Sequence, residues 1–150
     1  MKIRAAQTKD AEAIHRLIAN FVPEFQASPD GEGLEQYFEI ISVSAIMGYV
    51  VDDTFEYIVA MEGERLVAVA ALRDGSHLYH FFVEAEFHRR GIGRKLWEEL
   101  RRRSPRDHYT LNATPNAIAA YQRLGFKICG EPCSAMGIRY TPMEWSGRRR

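Results

Sequence analysis

The stretch His88-Arg89-Arg90-Gly91-Ile92-Gly93-Arg94 joins an apolar, strand-like segment ending near Glu84 to an amphipathic helix, and it is built to hold an anion. The first amides of a helix have no acceptor inside it. Together with the helix dipole they attract negative charge. Gly91 and Gly93 lack a Cβ, so a phosphate can approach the backbone closely, and Arg89, Arg90 and Arg94 add positive charge. Two nucleotide readings fail on the residues. A dinucleotide fingerprint needs a small residue at position 96, where Leu96 stands. A P-loop ends in Gly-Lys-Ser/Thr, where this chain has Gly93-Arg94-Lys95.

Other residues could move protons. Strict alternation along His77–Val83 puts His77, Tyr79, Phe81 and Val83 on one face and Leu78, His80, Phe82 and Glu84 on the other. A histidine near its ordinary pKa can accept a proton at neutral pH; a hydrogen-bonded structural role is the alternative for each of His77, Tyr79 and His80. Ile118, Tyr121 and Leu124 form a helical stripe, and spacing alone places Tyr121 in the core. Cys129 and Cys133 cannot supply four zinc ligands, and no His lies nearby in sequence, so no metal is expected. Cys129 reads as core and Cys133 as loop, both free thiols.

These residues need a frame. Lys2–Ala6 reads as a strand, followed by a helix with Thr8 as N-cap, the stripe Ala11, Ile14, Leu17, Ile18 and Phe21, and an end at Pro23. Leu34–Val43 reads as a second helix; Ser44–Asp53 is ambiguous. Thr54–Ala60, Arg65–Leu72 and His77–Glu84 are strands joined by Glu62-Gly63-Glu64 and Asp74-Gly75 turns. Gly91–Arg103 is a helix with outer pairs Glu98/Arg102 and Glu99/Arg103. A strand His108–Asn112, a helix Asn116–Leu124, and strands Phe126–Gly130 and Gly137–Glu144 complete the chain. Pro142 is expected at an edge or bulge, a candidate edge for a homodimer. The pattern predicts an α/β (α+β) mixed sheet with helices on both faces.

Composition narrows the partners. The 150 residues fit a single domain over 1–150, with 145–150 a flexible tail. Lys and Arg number 20, and so do Asp and Glu, so neither nucleic acid nor a membrane surface is the expected partner. No signal peptide or membrane-length apolar run is present, which points to the cytoplasm.

The segment Val83–Leu96 resembles the cofactor motif of the GNAT superfamily of N-acetyltransferases, Gln/Arg-x-x-Gly-x-Gly/Ala, with His88 at the first position. Asn112–Phe126, with its Asn116, Tyr121 and Leu124-Gly125-Phe126, is similar to the family's second CoA-contacting segment. Gly137–Glu144 looks like its last strand. The resemblance implies a three-layer fold whose fourth and fifth strands splay apart, with acetyl-CoA as cosubstrate between them. By that resemblance, backbone groups of Phe82 and Val83 pair with pantetheine, His88 to Arg94 (including Ile92) hold pyrophosphate, and Asn116 contacts the cofactor or caps its helix. It makes Tyr121 the general acid for the leaving thiolate. His77 or Tyr79, with His80 as rival, would be the base. The acceptor would be a small-molecule or peptide amine, held by the Val22–Asp53 region and the Gly130–Gly137 loop. Acidic residues there (Glu24, Asp30, Glu32, Glu35, Asp52, Asp53) could attract a cation. A non-catalytic acyl-CoA-binding sensor of the same fold is the alternative.

Overall fold

The computed structural model describes residues 1–147. Its elements run β1 (Lys2–Ala5), α1 (Ala11–Phe25), α2 (Leu34–Ile40), α3 (Val43–Val51), β2 (Phe55–Glu62), β3 (Arg65–Arg73), β4 (His77–Val83), α4 (Ile92–Arg103), β5 (His108–Ala113), α5 (Ile118–Arg123), β6 (Lys127–Ile128), β7 (Cys133–Ala135) and β8 (Ile138–Ser146). The strands lie in the order β1-β2-β3-β4-β5-β8-β6, and β7 pairs with β8 beyond that row. Among the described residues only the β4–β5 contact is parallel. Helix α4 is the crossover that a parallel pair needs.

Alternation along β2 and β3 divides the apolar residues between two cores. Ile58, Ala68, Ala70 and Leu72 pack under α4 with Leu96, Trp97 and Leu100. Val59, Val69 and Ala71 pack under α1–α3 with Ile14, Ile18 and Ile46. The sheet is thus covered on both faces, as the pattern predicted.

The β4–β5 pairing positions the site. Only His77↔Thr110 and Leu78↔Leu111 are in register. Beyond Leu78 the two strands part, leaving one side of β4 without a strand neighbour.

Several boundaries differ from expectation. Pro23 lies inside α1 and does not end it. The helix loses one hydrogen bond there, but Val22 and Phe25 bury their side chains and carry it to Phe25. The second predicted helix stops at Ile40, and Ser42 caps a new helix by accepting from the Ala45 amide at 3.1 Å. At the start of the chain Thr8 is not the N-cap: Gln7 holds that position before a 3-10 turn over Thr8–Asp10, and the Asp10 carboxylate reaches back to accept from the Gln7 amide at 2.7 Å and from two Arg4 guanidinium nitrogens. Arg102 pairs with Glu99, which also binds Arg103, so the expected Glu98 pair is replaced. The Asn116–Leu124 helix begins as a 3-10 turn over Pro115–Ala117, with Thr114 at the N-cap position and without a side-chain cap bond.

The last hairpin differs most. β6 is two residues long and lies at the end of the strand row, and Cys129, just past its end, is exposed, not core. Cys133, expected in a loop, opens β7. β8 is an inner strand with β5 on one side and β6 and β7 on the other, so it offers no free dimer edge. Pro142 sits where β6 runs out, and its carbonyl accepts from Cys129 N–H at 2.9 Å. Residues 145 and 146 belong to β8, with Trp145 packed on Trp97. The Arg148–Arg150 part of the expected tail lies outside the described residues. Among the described residues no helix is long and apolar enough to cross a membrane.

Candidate functional site

After β4 a 3-10 turn over Ala85–Phe87 leads to Arg89 at φ +67° and Gly91 at φ +79°, which swing the chain into α4. Gly91 is the N-cap and offers no side-chain acceptor. The first bond inside the helix runs from Lys95 N–H to the Gly91 carbonyl at 3.1 Å. The amides of Ile92, Gly93 and Arg94 therefore stand at the open mouth. The positive φ accounts for Gly91. Nothing among the described residues requires glycine at 93: an added Cβ would meet only the Phe81 ring, at an ordinary 3.6 Å. The absent side chain leaves space beside three free amides, which fits a bound anionic group.

The mouth opens into a cleft of about 550 Å³ between β4 and the β5–α5 segment, lined by Val83, Gly93, Asn116 and Tyr121 among others. Arg94 donates to the Arg123 carbonyl at 3.1 Å, bracing α4 against α5. Arg90 stacks over Phe87, 4.9 Å from the ring centre. His88 Nε2 lies 2.7 Å from the Val83 carbonyl oxygen, and its ring stacks on Phe21.

That carbonyl faces the gap. Glu84 N–H bonds Val67 O, and the register pairs Val69 with Phe82. Along an antiparallel strand the backbone groups alternate in direction. Val83 and Phe81 therefore turn their backbone towards the gap, while Phe82 turns its own to β3. Of the two residues expected to offer backbone groups, Phe82 contributes its ring instead.

The expected alternation of β4 also breaks. Ala71 pairs with His80 but Leu72 pairs with Leu78, so Tyr79 is the extra residue of a β-bulge. As a result Tyr79, His80 and Phe82 all face the α1–α3 side, while Leu78, Phe81 and Val83 face the α4 side.

A second cavity, of about 260 Å³, lies on that first side, lined by Tyr37, Ile40, Arg73, His77, Met136 and Tyr140 among others. Phe25, Leu78, Tyr79, Phe82, Asn112 and Thr114 line both cavities, so the two meet where β4 and β5 part. From the segments Val22–Asp53 and Gly130–Gly137, this cavity is lined by Phe25, Tyr37, Ile40, Ala135 and Met136. The acidic residues singled out in the sequence do not line this cavity; Glu24 lines the larger cleft and accepts from Asn116 Nδ2 at 3.4 Å.

The candidate proton carriers fall into distinct environments. Tyr121 is 9% exposed, packs on Phe81 and Phe126, and lines the larger cleft. Burial pushes its hydroxyl pKa well up. His77 Nδ1 lies 2.8 Å from Thr110 Oγ1. Burial, and then nearby Arg73, lower its pKa, so the ring is neutral at neutral pH. Tyr79 donates to the Tyr49 hydroxyl at 3.3 Å, and burial raises its pKa. His80 is buried, lies 2.7 Å from the Tyr57 hydroxyl through Nδ1, and has its pKa lowered to about 3 by burial. Sequence reasoning passed over Tyr49, Tyr57, Arg73 and Tyr140. Tyr49 stood in the ambiguous segment, and the others carried no motif.

A family model for the acetyltransferase (GNAT) domain matches residues 25–146. No curated protein matches the chain significantly in sequence. Among solved structures, a PaiA N-acetyltransferase from Thermoplasma acidophilum in complex with coenzyme A superposes with a TM-score of 0.76 at 16% identity, covering 97% of this chain and 98% of the other. A GCN5-related N-acetyltransferase from Rhodopseudomonas palustris gives 0.78 at 16% identity, with 97% and 94% covered. An aminoglycoside 6'-N-acetyltransferase complexed with coenzyme A gives 0.72 at 12% identity, with 100% and 99% covered. At these identities the likeness establishes the fold.

Proposed function

The chain belongs to the GNAT acetyltransferase family, and from that premise we propose that it is an acetyl-CoA-dependent N-acetyltransferase acting on a primary amine in a ternary complex. The observation that carries this reading is the meeting of two cavities at the parting of β4 and β5, one of them ending on the free amides of α4. Such an arrangement lets two substrates enter from opposite sides of the sheet and touch at its gap. Two of the structural neighbours are complexes with coenzyme A, which favours the larger cleft for the cofactor.

In this reading the amides of Ile92, Gly93 and Arg94, with Arg89, Arg90 and His88 around them, hold the pyrophosphate. The backbone of Val83, with that of Phe81, offers strand-like hydrogen bonds to the pantetheine amides. Asn116 lines the same cleft. Bound acetyl-CoA supplies an acetyl group activated as a thioester, which an amine can take by direct attack without a covalent enzyme intermediate.

The chain's own residues do three things. The cavity walls hold the amine beside the gap, replacing a chance encounter by a fixed one. His77 takes the amine's proton: with Nδ1–H donating to Thr110, Nε2 keeps a free lone pair. Tyr121, kept protonated by burial, gives a proton to the leaving thiolate; among the described residues its hydroxyl has no hydrogen-bond partner that would compete. Tyr79 stays protonated and donates to Tyr49, and His80 is held neutral against Tyr57, so both position the cavity wall and leave the base role to His77.

Thiol release from acetyl-CoA, followed with a panel of primary amines, tests the proposal. Amine-dependent release that is lost in Gly93→Glu supports it. Tight acetyl-CoA binding with no release for any amine would favour an acyl-CoA sensor.

A further inference from the structure

The walls of the smaller cavity contain no Asp or Glu side chain; their one permanent charge is Arg73. Most of the remaining lining is aromatic or aliphatic, including Phe25, Tyr37, Ile40, Tyr79, Met136 and Tyr140, with His77, His80, Asn112 and Thr114 as its uncharged polar members. A cavity meant for a polycation needs carboxylates to offset the cost of stripping water from ammonium groups. This one has the opposite polarity.

Arg73 is also placed to receive an anion. It closes β3 next to the start of β4, and its guanidinium carbon sits 5.3 Å over the Tyr79 ring, a cation–π contact that holds the head group at this end of the cavity. Its one ion pair is long: Asp74 reaches Arg73 Nε at 3.9 Å from the exposed turn and does not line the cavity. A planar guanidinium stacked on an aromatic ring suits a carboxylate, which it can bind through two parallel hydrogen bonds. His77, the other titratable group at this end, is kept neutral by burial and by Arg73 itself, so it adds no competing charge. The space of about 260 Å³ lies just below the roughly 300–1,000 Å³ of pockets for drug-sized ligands, which selects one compact molecule.

Building on the acetyl-transfer reading, we infer that the acceptor is a compact amine with an apolar or aromatic body and a carboxylate, such as a free hydrophobic α-amino acid, and that Arg73 binds the carboxylate. The amine then points to the gap beside His77, and the side chain lies among Tyr37, Ile40 and Met136. Acetyl transfer forms the N–C bond and breaks the C–S bond. The amine proton goes to His77 and the thiolate takes one from Tyr121. No further reactant is needed.

The test compares L-phenylalanine and L-leucine with their carboxamides, and with spermidine and kanamycin as polycations, in wild type, Arg73→Gln and Arg73→Lys. The amino acids should be acetylated in preference to the polycations. Arg73→Gln should lower kcat/KM for the acids by about ten-fold or more, as expected for loss of a charge-assisted hydrogen bond, and for the carboxamides by several-fold less, when compared near pH 8, where His77 is neutral with or without Arg73 beside it; Arg73→Lys should recover part of the loss. A preference for the polycations, or an equal effect of Arg73→Gln on acids and carboxamides, would overturn the assignment. A binding measurement separates the two levels of the argument. N-acetyl-L-phenylalanine should bind in the presence of CoA and lose affinity in Arg73→Gln, with acetyl-CoA affinity unchanged. Arg73-dependent binding without turnover of any amine would sink the transferase reading and keep the carboxylate site. Absence of such binding would remove the site even if some other amine were acetylated.

Discussion

His77 Nδ1 and Thr110 Oγ1 lie 2.8 Å apart across one of the two rungs that still join β4 to β5. The bond fixes the imidazole at the point where the sheet opens, beside both substrates in the proposed ternary complex.

His77 should therefore set the acid limb of the rate profile. Its pKa is lowered from the ordinary 6.5 by burial and by Arg73. Activity should be retained below about pH 6.5 and fall only as the pH drops through the depressed value. His77→Ala should lose about 100-fold in kcat at neutral pH and lose that limb. Thr110→Val should move the limb, since it removes the partner of Nδ1. A pH–rate series on the three proteins reads both effects.

Tyr121→Phe should lower kcat by roughly 100-fold and leave KM for acetyl-CoA close to wild type, because a general acid acts on the leaving group and contributes little to holding the cofactor. Since its hydroxyl has no hydrogen-bond partner among the described residues, the melting temperature should hardly change. A loss of stability with unchanged kcat would make Tyr121 a packing residue, the reading that helical spacing alone supports.

Gly93→Glu should weaken acetyl-CoA binding by roughly 100-fold, since it fills the open space and places a negative charge beside the pyrophosphate amides. The added Cβ meets only the Phe81 ring at 3.6 Å, so the fold should persist. Calorimetric titration with a melting curve on the same sample checks both statements.

His80 should make the fold acid-sensitive. Its folded pKa is lowered from 6.5 to about 3, so the unfolded chain binds a proton that the native chain refuses. The stability it supports is present above about pH 6.5 and declines as the pH falls from there towards 3. His80→Asn keeps a polar group near the Tyr57 hydroxyl but cannot be protonated. Its melting temperature should fall less steeply than wild type between about pH 6.5 and pH 4.

Much of this was readable from residue order, for physical reasons that differ by element. The mouth of α4 announced itself because orphan amides, two glycines and clustered arginines coincide only there. Hairpin turns at Gly63 and Gly75 fixed β2–β4, and apolar spacing fixed α1 and α4. The β4 faces were misjudged because one bulged residue, Tyr79, inverts the alternation, and nothing in His77–Val83 marks it. α3 was hidden because its apolar content is almost uniform: Val43, Ala45, Ile46, Met47, Val50 and Val51 give no clear face. Cys129 looked like core because local hydrophobicity does not say whether a strand lies inside a sheet or at its margin. Arg73 carried no motif at all; its meaning comes from what the fold leaves out of the cavity around it.

The central claim, that the cofactor lies in the parting of β4 and β5 against the amides of α4, is tested most directly by following backbone amide resonances of isotope-labelled protein during titration with acetyl-CoA. The amides of Phe81, Val83 and Ile92–Arg94 should shift most, together with those of 112–121, while β1 and β2 stay still. Saturable binding that leaves Ile92, Gly93 and Arg94 unmoved would contradict the account.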